Sequence, residues 1–165
     1  MIETLQRRGR ALFHVVLFRP EIPPNTGNAI RLCANTGARL HLVAPLGFDL
    51  DDTRLRRAGL DYHEWARVET HDTLDECLAA IGETRVYALS TKGGRHVHDA
   101  AFRPGDTFLF GQETRGLPDD VLALAGPERI LRIPMRPDVR SIHLSNTVAI
   151  VLYEAWRQCD FEGGV

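Results

Sequence analysis

Apolar residues fall in short runs, separated by polar stretches that carry glycine and proline. The run at residues 12–18 predicts a buried strand, broken by Pro20, Pro23 and Pro24. Asn25 can then N-cap a helix that ends before Gly37, whose missing Cβ suits a left-handed C-terminal position. Further strands are predicted at 40–44, 85–90, 107–110 and 129–133, and helices at 73–81, 119–125 and 145–158. Residues 49–64 are polar, with room for one short helical turn, and 92–104 read as a loop. Ser145 or Asn146 can cap the last helix. Near-continuous apolar strands alternating with helices predict an α/β fold built on a parallel sheet flanked by helices.

The last helix is apolar around most of its circumference, so it belongs in a core or a subunit interface, with Asn146, Tyr153 and Arg157 as one polar stripe. At 100° per residue, Ala29, Leu32, Cys33 and Thr36 share one face of the first helix; Asn28, Arg31 and Asn35 share the opposite one.

With 165 residues and 44% hydrophobic content, the chain suits a single domain with a real core. No apolar stretch is long enough to cross a membrane, and the basic start has no secretion-signal pattern. Cys33, Cys77 and Cys159 are odd in number and widely spaced, which predicts reduced, mostly buried thiols in a cytoplasmic protein. The net charge of −2 does not favour nucleic acid by itself, yet residues 1–40 carry +4 and Arg54, Arg56 and Arg57 cluster. That cluster is either a solvated face or a phosphate contact. His96-x-His98 lacks a third ligand at standard spacing, so no metal site is expected.

The loop from Gly111 to Gly116 follows a strand and precedes a helix, but Gly-x-Glu-x-x-Gly is neither a dinucleotide fingerprint nor a P-loop. A carboxylate there would repel a pyrophosphate and tolerate a cationic cofactor; the alternative is a tight turn in which Glu113 caps another segment. The segment from Ile133 through Met135 to Asn146 is a third candidate, with Ser141 near the last helix.

Six strings then carry a resemblance over residues 13–160: Pro20 to Asn28, Arg31 to Gly37, Arg54 to His63, Thr91-Lys92-Gly93, Phe110 to Pro118, and Leu144-Ser145-Asn146 with Tyr153 to Gln158. In this order and spacing they resemble the SPOUT family of knotted RNA methyltransferases, nearest to members acting on the tRNA wobble nucleotide. The resemblance implies a deep C-terminal trefoil knot, a homodimer, and S-adenosyl-L-methionine held by Leu89, Gly111, Glu113, Gly116, Ile133, Met135, Ser141 and Leu144. It implies catalysis by Arg31 with Asn25 and Ser141, and RNA contacts from Arg31, Arg56, Arg57, His63, Lys92, Arg115 and Tyr153. The implied reaction is 2′-O-methylation of nucleotide 34, C or modified U, in leucine tRNAs. Another tRNA or rRNA position, or a non-catalytic RNA-binding role, are the alternatives. Because guanidinium stays protonated, Arg31 is either a perturbed base or, preferred on charge grounds, a group that orients the hydroxyl and stabilises oxyanion charge. Arg19, Gln112, Val139 and His143 depart from the family pattern. Residues 1–12 lie outside the resemblance as a basic, disorder-prone extension, and 161–165 form a tail.

Overall fold

The computed structural model describes residues 10–65 and 67–165. Most of the basic N-terminal extension therefore lies outside the described residues. Seven strands form one sheet: β1 (His14–Phe18), β2 (Arg39–Val43), β3 (Val68–His71), β4 (Val86–Leu89), β5 (Arg95–His96), β6 (Thr107–Phe110) and β7 (Ile130–Arg132). Their order is β3-β2-β1-β6-β4-β7-β5 and every pairing is parallel. Val15 stands opposite Leu40 on one side and Phe108 on the other.

The central strands are buried on both faces, as a covered parallel sheet requires. Val15, Leu17, Leu40, Leu42, Phe108 and Phe110 share one core with α1 (Pro23–Thr36) and α6 (Leu144–Gln158). Val16, Phe18, Val43 and Leu109 share the other with α4 (Leu74–Ile81) and α5 (Asp119–Ala125). Two short helices, α2 (Thr53–Arg56) and α3 (Tyr62–Trp65), lie between β2 and β3 and pack on α1. Among the described residues, no helix is long and apolar enough to cross a membrane. The burial of α6 is largely internal: Leu144, Val148, Val151, Leu152 and Ala155 pack inside this chain. The terminal residues turn back, with the Trp156 indole N–H donating to the Glu162 carbonyl at 3.0 Å.

Several expectations are corrected. Helix α1 begins two residues before Asn25, with Ile22 at the N-cap and prolines at its first two positions. Proline has no N–H to leave unpaired there, so Pro23 and Pro24 start the helix rather than precede it. Gly37 does close it, at φ 77°. In α6 the N-cap is His143, and neither Ser145 nor Asn146 caps it. Residues 49–64 hold two helical turns, not one. Strands β3 and β5 were unforeseen: one is a polar edge strand and the other spans two residues, too short for any periodicity.

One buried feature on the α4 face bears on stability. His14, His41 and His71 run diagonally across β1, β2 and β3, each neighbouring ring pair joined at 3.0 Å. Burial, aided by the proximity of His14, pushes His41 down to about 4, and His14 shifts the same way, chiefly by burial. An unfolded histidine titrates near 6.5. Stability should therefore be intact above about pH 6.5 and be lost as the pH falls toward 4, by roughly 3 kcal/mol for His41. Urea unfolding at pH 7 and pH 4.5 measures this, and His41→Asn should flatten the difference.

Candidate active site

The chain runs from β1 outward to β2 and β3, then crosses back to build β4 to β7 on the other side of β1. Sheets that reverse in this way gather ligands beyond the carboxyl ends of their strands. A cleft of about 640 Å³ lies there, at the ends of β4, β6 and β7. Three loops wall it: residues 89–92, 110–117 and 131–144. Leu89, Gly111, Glu113, Gly116, Ile133, Met135, Ser141 and Leu144 all line it, although they come from distant parts of the sequence.

The 111–116 loop is a tight reversal. Gly116 N–H donates to the Gln112 carbonyl at 2.9 Å. A Cβ on Gly111 would lie 2.2 Å from the Gly116 carbonyl carbon, so the two strands of the loop touch backbone to backbone. The closing bond uses only the carbonyl of residue 112, which proline would supply as well as Gln112 does. The other departures are also accommodated. Arg19 adopts φ 53° and lays its guanidinium over Phe18, and Val139 is exposed.

Glu113 does not project a free carboxylate. The backbone N–H groups of Glu21 and Ile22 donate to it at 2.8 and 3.0 Å, and the Asn25 amide approaches at 3.4 Å. Helix α1 has no acid in its own first turn, and Glu113 supplies the negative charge its N-terminus favours. The clasp is reciprocal: the Thr114 hydroxyl donates to the Glu21 carboxylate at 2.7 Å. The capping reading of Glu113 is thus the one the geometry supports, while its side chain still forms part of the cleft wall. Asn25 is buried and works as a hub, since the Ser145 hydroxyl also donates to its carbonyl at 3.3 Å. Sequence reasoning missed Glu21, 92 residues from its partner in a contact that no local pattern encodes. It also missed Arg140 and Thr147 on the cleft wall.

Arg31 is not in the cleft. It lies two turns into α1, donating to the Ala58 and Gly59 carbonyls at 2.8 and 3.0 Å and pairing with Glu64 at 3.4 Å. His63 is exposed beside this segment. Arg56 pairs with Asp51 and Arg54 with Asp52, which offsets much of that cluster's charge; Arg57 is exposed. Lys92 and Arg115 line the cleft, Lys92 bridged to Asp119 at 3.0 Å. Tyr153 is exposed on α6, edge-on to Trp156. His96 and His98 are both exposed, on β5 and just after it.

The model of the SpoU rRNA Methylase family matches residues 12–153. A Burkholderia ambifaria protein named tRNA (cytidine(34)-2′-O)-methyltransferase is 60% identical over 155 residues, covering 93% of this chain and 99% of its own. An Escherichia coli K12 protein of the same name is 53% identical over 154 residues, covering 93% and 98%. A solved structure concerned with the 2-OH methylation of C/U34 on tRNA superposes with TM-score 0.82 at 44% identity, over 91% of this chain and 97% of that one.

Proposed function

The chain belongs to the SpoU methylase family, and from that premise we propose that it methylates the ribose 2′-oxygen of nucleotide 34 in tRNA, with leucine isoacceptors as substrates. The observation that carries this reading is the identity of 53–60% to enzymes of that name over nearly the full length of each. The SPOUT resemblance of the motifs supports the same reading, including the deep C-terminal knot and the homodimer. The stripe of Asn146, Ile150 and Tyr153, not fully covered within the chain, is a face for the second copy.

The cleft fits S-adenosyl-L-methionine. Leu89, Ile133, Met135 and Leu144 offer apolar surface to a purine, and the touching backbones of the 111–116 loop form a cradle that a Cβ would fill. When bound, the cofactor supplies a methyl group on a sulfonium. Lys92, Arg115 and Arg140 place positive charge at the wall, suited to a cofactor carboxylate or an RNA phosphate. Ser141, exposed at the rim, can hydrogen-bond to the cofactor or the ribose. Asn25 acts by positioning: both ends of its amide are engaged, tying α1 to the 111–116 loop and to the start of α6. Arg31 must exchange its contacts with Glu64 and the Ala58 and Gly59 carbonyls for contacts to RNA. Once there, a permanent cation orients the 2′-hydroxyl and stabilises developing oxyanion charge, and a phosphate or water takes the proton. Buried, unpaired Cys33 and Cys77 accord with a cytoplasmic protein.

The test is a nuclease digest of tRNA labelled by the protein with methyl-labelled cofactor. One methyl on the ribose of nucleotide 34 is expected; a methyl on a base, or on a ribose outside the anticodon, refutes the assignment. Phosphate contacts make affinity fall with salt. Arg56→Ala combined with Arg57→Ala should weaken tRNA binding and flatten its salt dependence without changing cofactor affinity. Because Asp51 already neutralises Arg56, most of the effect should come from Arg57, as single variants in a filter-binding salt series will reveal.

A further inference from the structure

We propose that His41, His71 and Cys77 form a buried binding site for a zinc-like divalent cation, with water in the fourth position and the Glu69 carboxylate beside the two histidines. One nitrogen of each histidine and the Cys77 sulfur all lie within 4.8 Å of one another. None of them lines the cleft. The sequence predicted no metal because the donors are spread over β2, β3 and α4, and no single stretch shows ligand spacing.

The donor geometry is close to what the ion needs. His41 Nδ1 and His71 Nε2 are 3.0 Å apart. With metal–nitrogen bonds of about 2.1 Å, tetrahedral ligands stand roughly 3.4 Å apart, so the rings need only separate slightly. One carboxylate oxygen of Glu69 lies 3.8 Å from His41 Nδ1 and 3.9 Å from His71 Nε2, while its other oxygen is held by Arg39 at 2.7 Å. Cys77 faces the same space from α4 and is fully buried.

The surroundings also match those of a metal-binding histidine, which as a rule donates its second ring N–H to a fixed acceptor. For His41 that acceptor is in place: its Nε2 lies 3.0 Å from His14 Nδ1. A plain imidazole ladder would account for the two ring contacts, but not for the Cys77 sulfur converging on the same pair of nitrogens within 4.8 Å. Burial keeps His41 neutral, as a ligand must be, and holds the Cys77 thiol protonated, at about 12. On binding, the hydrogen bond between His41 and His71 breaks and the ring proton that made it shifts, by exchange with solvent, to the far nitrogen of the same imidazole. Two metal–nitrogen bonds and one metal–sulfur bond form as waters leave the ion, one water stays in the fourth position, and the thiol proton leaves to solvent. No oxidation state changes. The thiolate and the nearby Glu69 carboxylate reduce the charge of the buried ion, and Arg39, paired with Glu69 at 2.7 Å, leaves the cluster as a whole at +1. Glu69 is partly exposed on edge strand β3 and provides the entry path.

The experiment is titration of the metal-free full-length protein with Co²⁺, followed by Zn²⁺. One Co²⁺ per chain should give visible bands of tetrahedral coordination and a near-ultraviolet thiolate-to-cobalt band, both removed by Zn²⁺. Zn²⁺ should also raise the Tm. Cys77→Ser should abolish the thiolate band, Cys159→Ser should retain it, and His14→Asn should keep it but weaken affinity by about 10–100-fold. A wild-type protein with no thiolate band, or a band that survives Cys77→Ser, overturns the site.

Discussion

Arg31→Ala is expected to lower methyl transfer by about 10²–10³-fold, while affinity for S-adenosyl-L-methionine stays within a few-fold. The guanidinium lies outside the cleft, so its loss leaves the cofactor walls intact. What disappears is a cation that meets charge developing only as the hydroxyl attacks, and such an interaction acts on turnover rather than on ground-state binding. Single-turnover assays with saturating tRNA and calorimetry with the cofactor separate the two quantities. Arg31→Lys is the informative companion. It keeps the charge but loses the planar guanidinium, whose Nη2 reaches the Ala58 and Gly59 carbonyls while its Nε faces Glu64. Partial recovery of turnover by lysine would identify charge as the main contribution. A fully active Arg31→Ala would refute the assigned mechanism.

The second large effect is expected from Gly111→Ala. The added methyl would meet the Gly116 carbonyl carbon at 2.2 Å and the Leu117 nitrogen at 2.4 Å. Both are backbone atoms, so no rotamer change relieves the clash and the loop must open. A loss of about 1–3 kcal/mol in stability is expected, with cofactor affinity falling at least about tenfold, or roughly 1.4 kcal/mol. Gly116→Ala is the control. Its φ is 66°, but nothing lies within 4 Å of a Cβ placed there, so it should cost only the left-handed backbone, about 1 kcal/mol. Thermal melts and cofactor calorimetry on both variants compare them directly. Equal effects would mean that the close approach at Gly111 does not shape the cofactor loop.

Much of this architecture was legible along the chain. Continuous apolar runs such as Val15 to Phe18 and Phe108 to Phe110 allow only covered strands, and Gly37 marks the end of α1 through its backbone alone. Local chemistry misled where two signals competed. Asn25 is a strong capping residue, yet Pro23 and Pro24 set the helix start, which freed the amide for long-range contacts. Polar β3 carries no period-two signal because it is an edge strand, packed against β2 but partly open to solvent. The converging walls of the cleft were named through motif resemblance, whereas the displacement of Arg31 onto the 58–64 segment was not legible at all. It depends on where α2 and α3 dock, and residues 49–64, mostly polar and charged, show no periodic pattern that dictates that docking.

The Glu113–Glu21 clasp ties the 111–116 loop to the start of the helix that carries Arg31. Glu113 and Thr114 belong to the loop that borders the cofactor cleft; Glu113 accepts from the backbone that opens the helix carrying Arg31, and Thr114 donates to the Glu21 carboxylate there. Any ligand that stiffens the loop also lowers the entropy still to be lost when α1 meets RNA. By linkage the converse holds with the same factor, so the cofactor is expected to tighten tRNA binding and tRNA to tighten cofactor binding equally, which calorimetry of each with and without the other measures. Heterotropic coupling of this kind needs no moving domain. It requires only that two short segments, 92 residues apart in the chain, hold one another through the carboxylates of Glu113 and Glu21.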